Sequence, residues 1–177
     1  MGASPKRIYW DACVWIALIQ DERIPLVDGG VELRGALCRA VISQAEKGKA
    51  EVLTSAFCLI EVCKAGDIKA GHDSGRLAAF FENDYIVVVN IDRQVGERGR
   101  ALMLSGYPKL KPADASHLAA ALVWNVDEMH TFDDILLGLD GKLDKRDGTR
   151  LRICKPSHGG SPLPLFEPEK QEWADEW

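Results

Sequence analysis

No segment of this chain stays apolar for the roughly 20 residues that a membrane helix requires; the longest uncharged apolar stretch runs only from Ala12 to Ile19. A basic-then-apolar leader with a cleavage site is also missing, so the expected location is the cytoplasm, with no membrane partner. The five cysteines, Cys13, Cys38, Cys58, Cys63 and Cys154, form an odd set without a CxxC pair. Four of them sit in apolar segments, where a thiol behaves as a small hydrophobe, and all five read as reduced core residues.

Several catalytic signatures are absent as well. There is no GxSxG nucleophile elbow, no GxxxxGK[ST] phosphate loop and no HExxH zinc motif, and no internal repeat is visible. Nor is there an excess of positive charge: 22 Lys and Arg face 27 Asp and Glu, a formal net charge of -5. Grip on duplex DNA comes from clustered cations, so this balance does not suit it. It suits a site that binds cations first. A nucleic-acid substrate would need metal ions to offset the carboxylates, helped by Lys109 and Lys111 or by Lys142, Lys145, Arg146, Arg150 and Arg152. Those basic segments read more simply as solvated faces.

What is present is the composition of a folded protein, with 46% hydrophobic and 28% charged residues over a length of 177, which is one ordinary domain. Ile8 to Trp10 is a short β-favouring run that stops at Asp11, and Ala12 to Ile19 then reads as a helix. Helical spacing from Leu33 to Lys47 is followed by a strand at Glu51 to Leu53, and Thr54 or Ser55 can cap a helix from Ala56 to Ala65. Further helices are predicted at Ser74 to Phe81, at Arg93 to Leu104 behind the cap Asp92, and from Pro112 onward. Tyr85 to Val89 is a continuous β-branched run of the kind buried in a parallel sheet, Met129 to Thr131 another strand, and Arg150 to Cys154 an edge strand. This alternation predicts an α/β protein, a three-layer α/β/α sandwich around a mostly parallel sheet. Residues 1–155 form the expected domain. Residues 156–177, with Pro156, Pro162, Pro164 and Pro168, form a tail whose Phe166, Trp173 and Trp177 read as a loosely attached terminus.

Four acids stand where apolar neighbours surround them. Asp11 ends a strand, Glu61 is the one charge between Ser55 and Cys63, Asp114 lies in the first turn of a helix, and Asp133 follows a strand. An ionised carboxylate removed from water costs several kcal/mol unless it is paired or metal-bound, so one shared explanation is favoured over four separate ones. Open parallel sheets bind ligands at the carboxyl ends of their strands, where Asp11 and Asp133 would emerge. Helices would then deliver Glu61 and Asp114 to an oxygen-only cluster suited to Mg²⁺ or Mn²⁺. Each acid also has a plainer role. Asp11, Asp92, Asp133 or Asp134 can cap helices, Asp114 can favour a helix dipole, and a mid-helix Glu61 can pair with an arginine or reach solvent. Asp133 and Asp134 are equal candidates for the fourth acid.

In order, the segments IYWDACVW, TSAFCLIEV, LKPADASHLAAAL and HTFDD resemble the four acidic motifs of the PIN-domain ribonucleases, especially the VapC-type toxins of toxin–antitoxin pairs, over roughly residues 7–140. The resemblance implies an α/β/α fold, magnesium or manganese dependence, and endonuclease action on RNA, with Asp11, Glu61, Asp114 and Asp133 as the catalytic and metal-binding acids. It also implies a small antitoxin partner and a homodimer. Where the family often has a small hydroxyl residue after the first acid, Ala12 and Cys13 follow Asp11, so a supporting hydrogen bond is expected to be missing. Thr131 keeps a hydroxyl near the last motif, and His117 could touch a ligand or a carboxylate, or be a satisfied core histidine. An aspartyl-nucleophile phosphatase would show DxD at Asp11, which is absent. A decayed interaction module would be expected to have lost one of the four acids, and all are present.

Overall fold

Residues 4–64, 74–107 and 109–157 are described by the computed structural model of this chain. Five strands carry the fold: β1 (Lys6–Trp10), β4 (Ala50–Ser55), β5 (Ile86–Val89), β6 (Glu128–His130) and β7 (Arg152–Cys154). They pair in the order β5-β4-β1-β6-β7, and every pairing is parallel. The chain moves outward from β1 to β4 and β5, then returns to the other side of β1 for β6 and β7. The order therefore reverses at β1, and a crevice opens at the carboxyl ends of β1 and β6.

Side-chain alternation along the strands sorts the core into two layers. Tyr9 and Leu53 join one cluster with Val95 and Leu102 of α5 (Arg93–Leu104) and Leu118 and Leu122 of α6 (Pro112–Val123). Ile8, Trp10 and Val52 point the other way, to Val14 and Trp15 of α1 (Ala12–Ile19) and to Cys38, Val41 and Ile42 of α2 (Arg34–Glu46). Phe80 and Phe81 at the end of α4 (Ser74–Phe81) close this second layer against Trp15, the first edge-on and the second tilted. Helices thus cover both faces, as the alternating pattern predicts.

The remaining elements depart from the sequence expectations in instructive ways. β2 (Arg23–Pro25) and β3 (Val31–Leu33) form an antiparallel hairpin inside a segment with no strand-like alternation. Its turn uses Gly29 at a φ of 85°, and side chains further along hold it: Arg34 binds Glu22 and Glu32 while its guanidinium lies 4.5 Å from the Phe132 ring centroid. The helix expected from Ala56 to Ala65 is shorter. Helix α3 spans Ala56–Glu61 and passes into a 3₁₀ turn, Val62–Lys64. Glu61 is therefore its last residue and not a mid-helix position, and Leu59 and Ile60 beside it are exposed. The last short helix, α7, spans Asp134–Leu137. The tail residues Phe166, Trp173 and Trp177 lie outside the described residues. Among the described residues, no helix is long and apolar enough to cross a membrane.

Candidate active site

The crevice at the sheet's carboxyl edge is a cleft of about 190 Å³ lined by Asp11, Ala12, Cys13, Ile16, Glu61, Asp114, His117 and Asp133. All four acids singled out from the sequence border it. Between the two candidates for the fourth position, Asp133 lines the cleft, and Asp134, the first residue of α7, is exposed outside it. Asp92 caps α5 through a bond from the Val95 N–H at 3.0 Å and does not line the cleft.

Asp11 leaves the end of β1 and is only 4% exposed. Its Oδ1 accepts from the Val14 N–H at 3.2 Å, which makes it the N-cap of α1, and from the Cys13 thiol at 2.8 Å. Its Oδ2 accepts from the Thr131 hydroxyl at 2.6 Å. The supporting hydrogen bond expected to be missing is thus supplied by Cys13 and Thr131. Cys13 also accepts from the Phe132 N–H at 3.1 Å. Burial, and then the negative charge of Asp11, push the Cys13 thiol up, so it remains a protonated donor. Burial likewise raises the pKa of Asp11 above the usual carboxylate range, against the opposing pull of Cys13, His117 and Thr131.

Asp133 reaches the cleft from the loop after β6. Its Oδ1 is anchored by the N–H groups of Ile135 and Leu136 at 2.8 and 3.1 Å, while its own N–H donates to Thr131 Oγ1 at 3.0 Å. One hydroxyl therefore joins the loop that carries Asp133 to the carboxylate of Asp11. Asp114 sits in the first turn of α6, where its Oδ2 accepts from the Lys111 N–H at 3.2 Å. Burial raises its pKa, the Lys111 N–H opposes that rise, and the like charge of Asp133 adds to it. One turn further along α6, His117 is buried and bonds on both sides: Nδ1 to the Tyr9 hydroxyl at 2.9 Å and Nε2 to Glu61 Oε2 at 2.6 Å. The two readings of His117, a carboxylate contact and a satisfied core histidine, both hold.

The cysteines are less uniform than expected. Cys38 and Cys58 are buried core thiols, but Cys63 is exposed and Cys13 lines the cleft. Of the basic segments, Lys109, Lys111, Lys142 and Arg146 are exposed, as solvated faces would be. Lys145 donates to the Val126 carbonyl, Arg150 pairs with Asp144, and Arg152 pairs with Glu128.

Among the described residues, one His/Cys/acid group has all its ligand atoms within 4.8 Å: Glu128, His130 and Cys154 on β6 and β7. Its bonding argues against a metal. The Trp10 indole N–H, which can only donate, meets His130 Nδ1 at 3.2 Å, so the proton of a neutral ring sits on Nε2 and points to Glu128 at 3.2 Å. Lys6 at 2.7 Å and Arg152 at 3.2 Å already neutralise Glu128. His130 and Lys6 hold its carboxyl down to about 2. This is an ion-pair network in which His130 has no lone pair to spare.

The family model described as the PIN domain matches residues 8–142. Among solved structures, the chain is similar to VapC20 of Mycobacterium tuberculosis, described as a sarcin-ricin loop cleaving toxin, with 18% identity, 72% of this chain and 92% of that one covered, and a TM-score of 0.53. It is also similar to a chain of a toxin–antitoxin complex from Klebsiella pneumoniae, with 22% identity, 71% and 86% coverage and a TM-score of 0.49. A comparison with curated proteins finds none that matches.

Proposed function

This chain belongs to the PIN-domain family, and from that premise we propose that it is a metal-dependent endoribonuclease, the toxin of a toxin–antitoxin pair. The observation that carries this reading is the arrival of Asp11, Glu61, Asp114 and Asp133 in one cleft from four separate parts of the chain. Residues 1–155 are the proposed nuclease domain, because β7 at Arg152–Cys154 extends the same sheet, and residues 156–177 are the appended tail.

The donor set fits a hard divalent cation. All four acids offer oxygen, and Asp11 and Asp114 have carboxyls pushed upward by burial, the condition a bound cation reverses. Asp11, Glu61, Asp114 and Asp133 are the residues that would hold Mg²⁺ or Mn²⁺. Such an ion supplies Lewis-acid stabilisation of the phosphoryl oxygens and an activated water for hydrolysis of the P–O ester bond. The protein's part is orientation. Cys13, Thr131 and the Val14 N–H fix both oxygens of Asp11, two N–H groups fix Asp133, and the Lys111 N–H fixes Asp114. An RNA strand would lie along the carboxyl edge of the sheet. The exposed Leu59 and Ile60 beside Glu61 offer an apolar rim on which a small antitoxin could cover the cleft. A homodimer and a cytoplasmic location belong to the same proposal.

The test is cleavage of labelled single-stranded RNA and of a sarcin-ricin-loop hairpin, with Mn²⁺, with Mg²⁺ and with EDTA, beside folded Asp11→Asn and Asp114→Asn variants. Cutting that needs both metal and carboxylates supports the nuclease. Inactivity of every form, together with no Mn²⁺ binding by calorimetry, replaces it with an interaction module.

A further inference from the structure

We propose that Tyr9 and His117 form a positioning chain for Glu61, fixing the carboxylate that the end of helix α3 by itself leaves poorly determined. This inference rests on the reading of Glu61 as a metal-binding acid. Glu61 is the final residue of a helix only six residues long, flanked by the exposed Leu59 and Ile60 and followed by a 3₁₀ turn. Helix ends fray by a residue or two, so the end of α3 does not by itself fix where this carboxylate points. The link to a rigid part of the fold comes from α6, where His117 is buried one turn beyond Asp114 and places Nε2 at 2.6 Å from Glu61 Oε2.

Tyr9 is fully buried on β1, with its hydroxyl 2.9 Å from His117 Nδ1. In the proposed chain this hydroxyl donates to Nδ1, and the Nε2–H is the donor toward Glu61. One helix thus performs two tasks: Asp114 presents a carboxylate to the cleft, and His117, beneath it, aims another. Tyr9 lies in β1 and Asp11 directly follows that strand, so the strand that delivers the first acid also orients the second through His117. Both residues act through Glu61 in this arrangement. They are positioning residues, and removal of such supporting partners characteristically costs about 10- to 100-fold in metal affinity.

The experiment compares wild type, Tyr9→Phe, His117→Leu, His117→Gln and Asp11→Asn in Mn²⁺ titration calorimetry. Histidine ¹⁵N signals of the metal-free proteins and thermal melts are recorded in parallel. The glutamine amide can place a donor where Nε2 stands, and leucine cannot. The expected result is Mn²⁺ affinity lowered at least 10-fold in His117→Leu, lowered about 3-fold in Tyr9→Phe, and restored to within about 3-fold of wild type in His117→Gln. Wild-type ¹⁵N signals should show Nε2 protonated and Nδ1 accepting, and Tyr9→Phe should lose that pattern. If a folded His117→Leu binds Mn²⁺ like wild type while Asp11→Asn does not, the chain is overturned and the metal site survives. The ¹⁵N pattern alone overturns it if Nδ1 carries the proton while Nε2 accepts from a protonated Glu61. Should wild type itself fail to bind Mn²⁺, the nuclease reading falls and takes this inference with it. If His117→Leu does not fold, Tyr9→Phe decides through its affinity and ¹⁵N pattern.

Discussion

Thr131 donates its hydroxyl to Asp11 at 2.6 Å across 120 positions of sequence, and the same oxygen accepts the Asp133 N–H at 3.0 Å. This single side chain sets the spacing of two proposed metal-binding acids that emerge from neighbouring parallel strands.

Replacing Thr131 with Val keeps its shape and removes both bonds together with the 3.4 Å contact between its hydroxyl and the Cys13 thiol. The buried Asp11 carboxylate then loses a charge-assisted donor, so we expect a stability loss of about 1–3 kcal/mol, measurable by denaturant melts. RNA cleavage should fall at least 10-fold, whereas Thr131→Ser should retain most activity.

Asp11 gives a pH dependence whose sign is fixed. Its folded pKa is raised by burial above the unfolded value of about 3.9. Whatever stability the protonated carboxyl contributes is present below that value and lost as pH rises through the folded pKa. Metal-free Asp11→Asn should therefore melt above metal-free wild type at pH 8, with the gap closing toward acid pH. Added Mn²⁺ should raise the melting temperature of the wild type only.

Glu128 runs the other way. Its carboxyl is held down to about 2 by His130 and Lys6. Its contribution is present above the ordinary value of about 4.3 and disappears as pH falls toward 2. Glu128→Gln should cost roughly 1–3 kcal/mol at pH 7, less at pH 3, and leave metal-dependent cleavage unchanged. A calorimetric Zn²⁺ titration should show no dependence on Glu128 or Cys154.

Asp92 separates a cap from a ligand. Asp92→Ala should destabilise α5 by about 1 kcal/mol without altering Mn²⁺ affinity, since its carboxylate accepts the Val95 N–H and lies outside the cleft.

Much of the fold is legible without coordinates because the signals are local. The Ile86–Val89 strand is a β-branched run, α6 begins at a proline, and Asp92 caps where a cap is expected. The hairpin Arg23–Pro25 with Val31–Leu33 is not legible, because tertiary partners hold it: Arg34 on Glu32 and Phe132, and Lys155 on Glu32. The end of α3 is missed for a related reason, since its apolar run continues past Glu61 while the backbone tightens into a 3₁₀ turn.

For the candidate site, the sequence by itself determined that Asp11 follows a strand, that Asp114 opens a helix and that an acid at 133 or 134 follows a strand, because strand and helix periods are properties of neighbouring residues; it set Glu61 in mid-helix, where the structure ends α3. Only the tertiary structure decided how they are held. That Asp133 and not Asp134 lines the cleft depends on the cap bonds to Ile135 and Leu136. That Cys13 serves Asp11, and that Tyr9 meets His117 and His117 meets Glu61, depends on side chains brought within hydrogen-bond reach by the packing of helices on a sheet. Such bonds act over about 3 Å between residues far apart in the chain, and no local pattern encodes them.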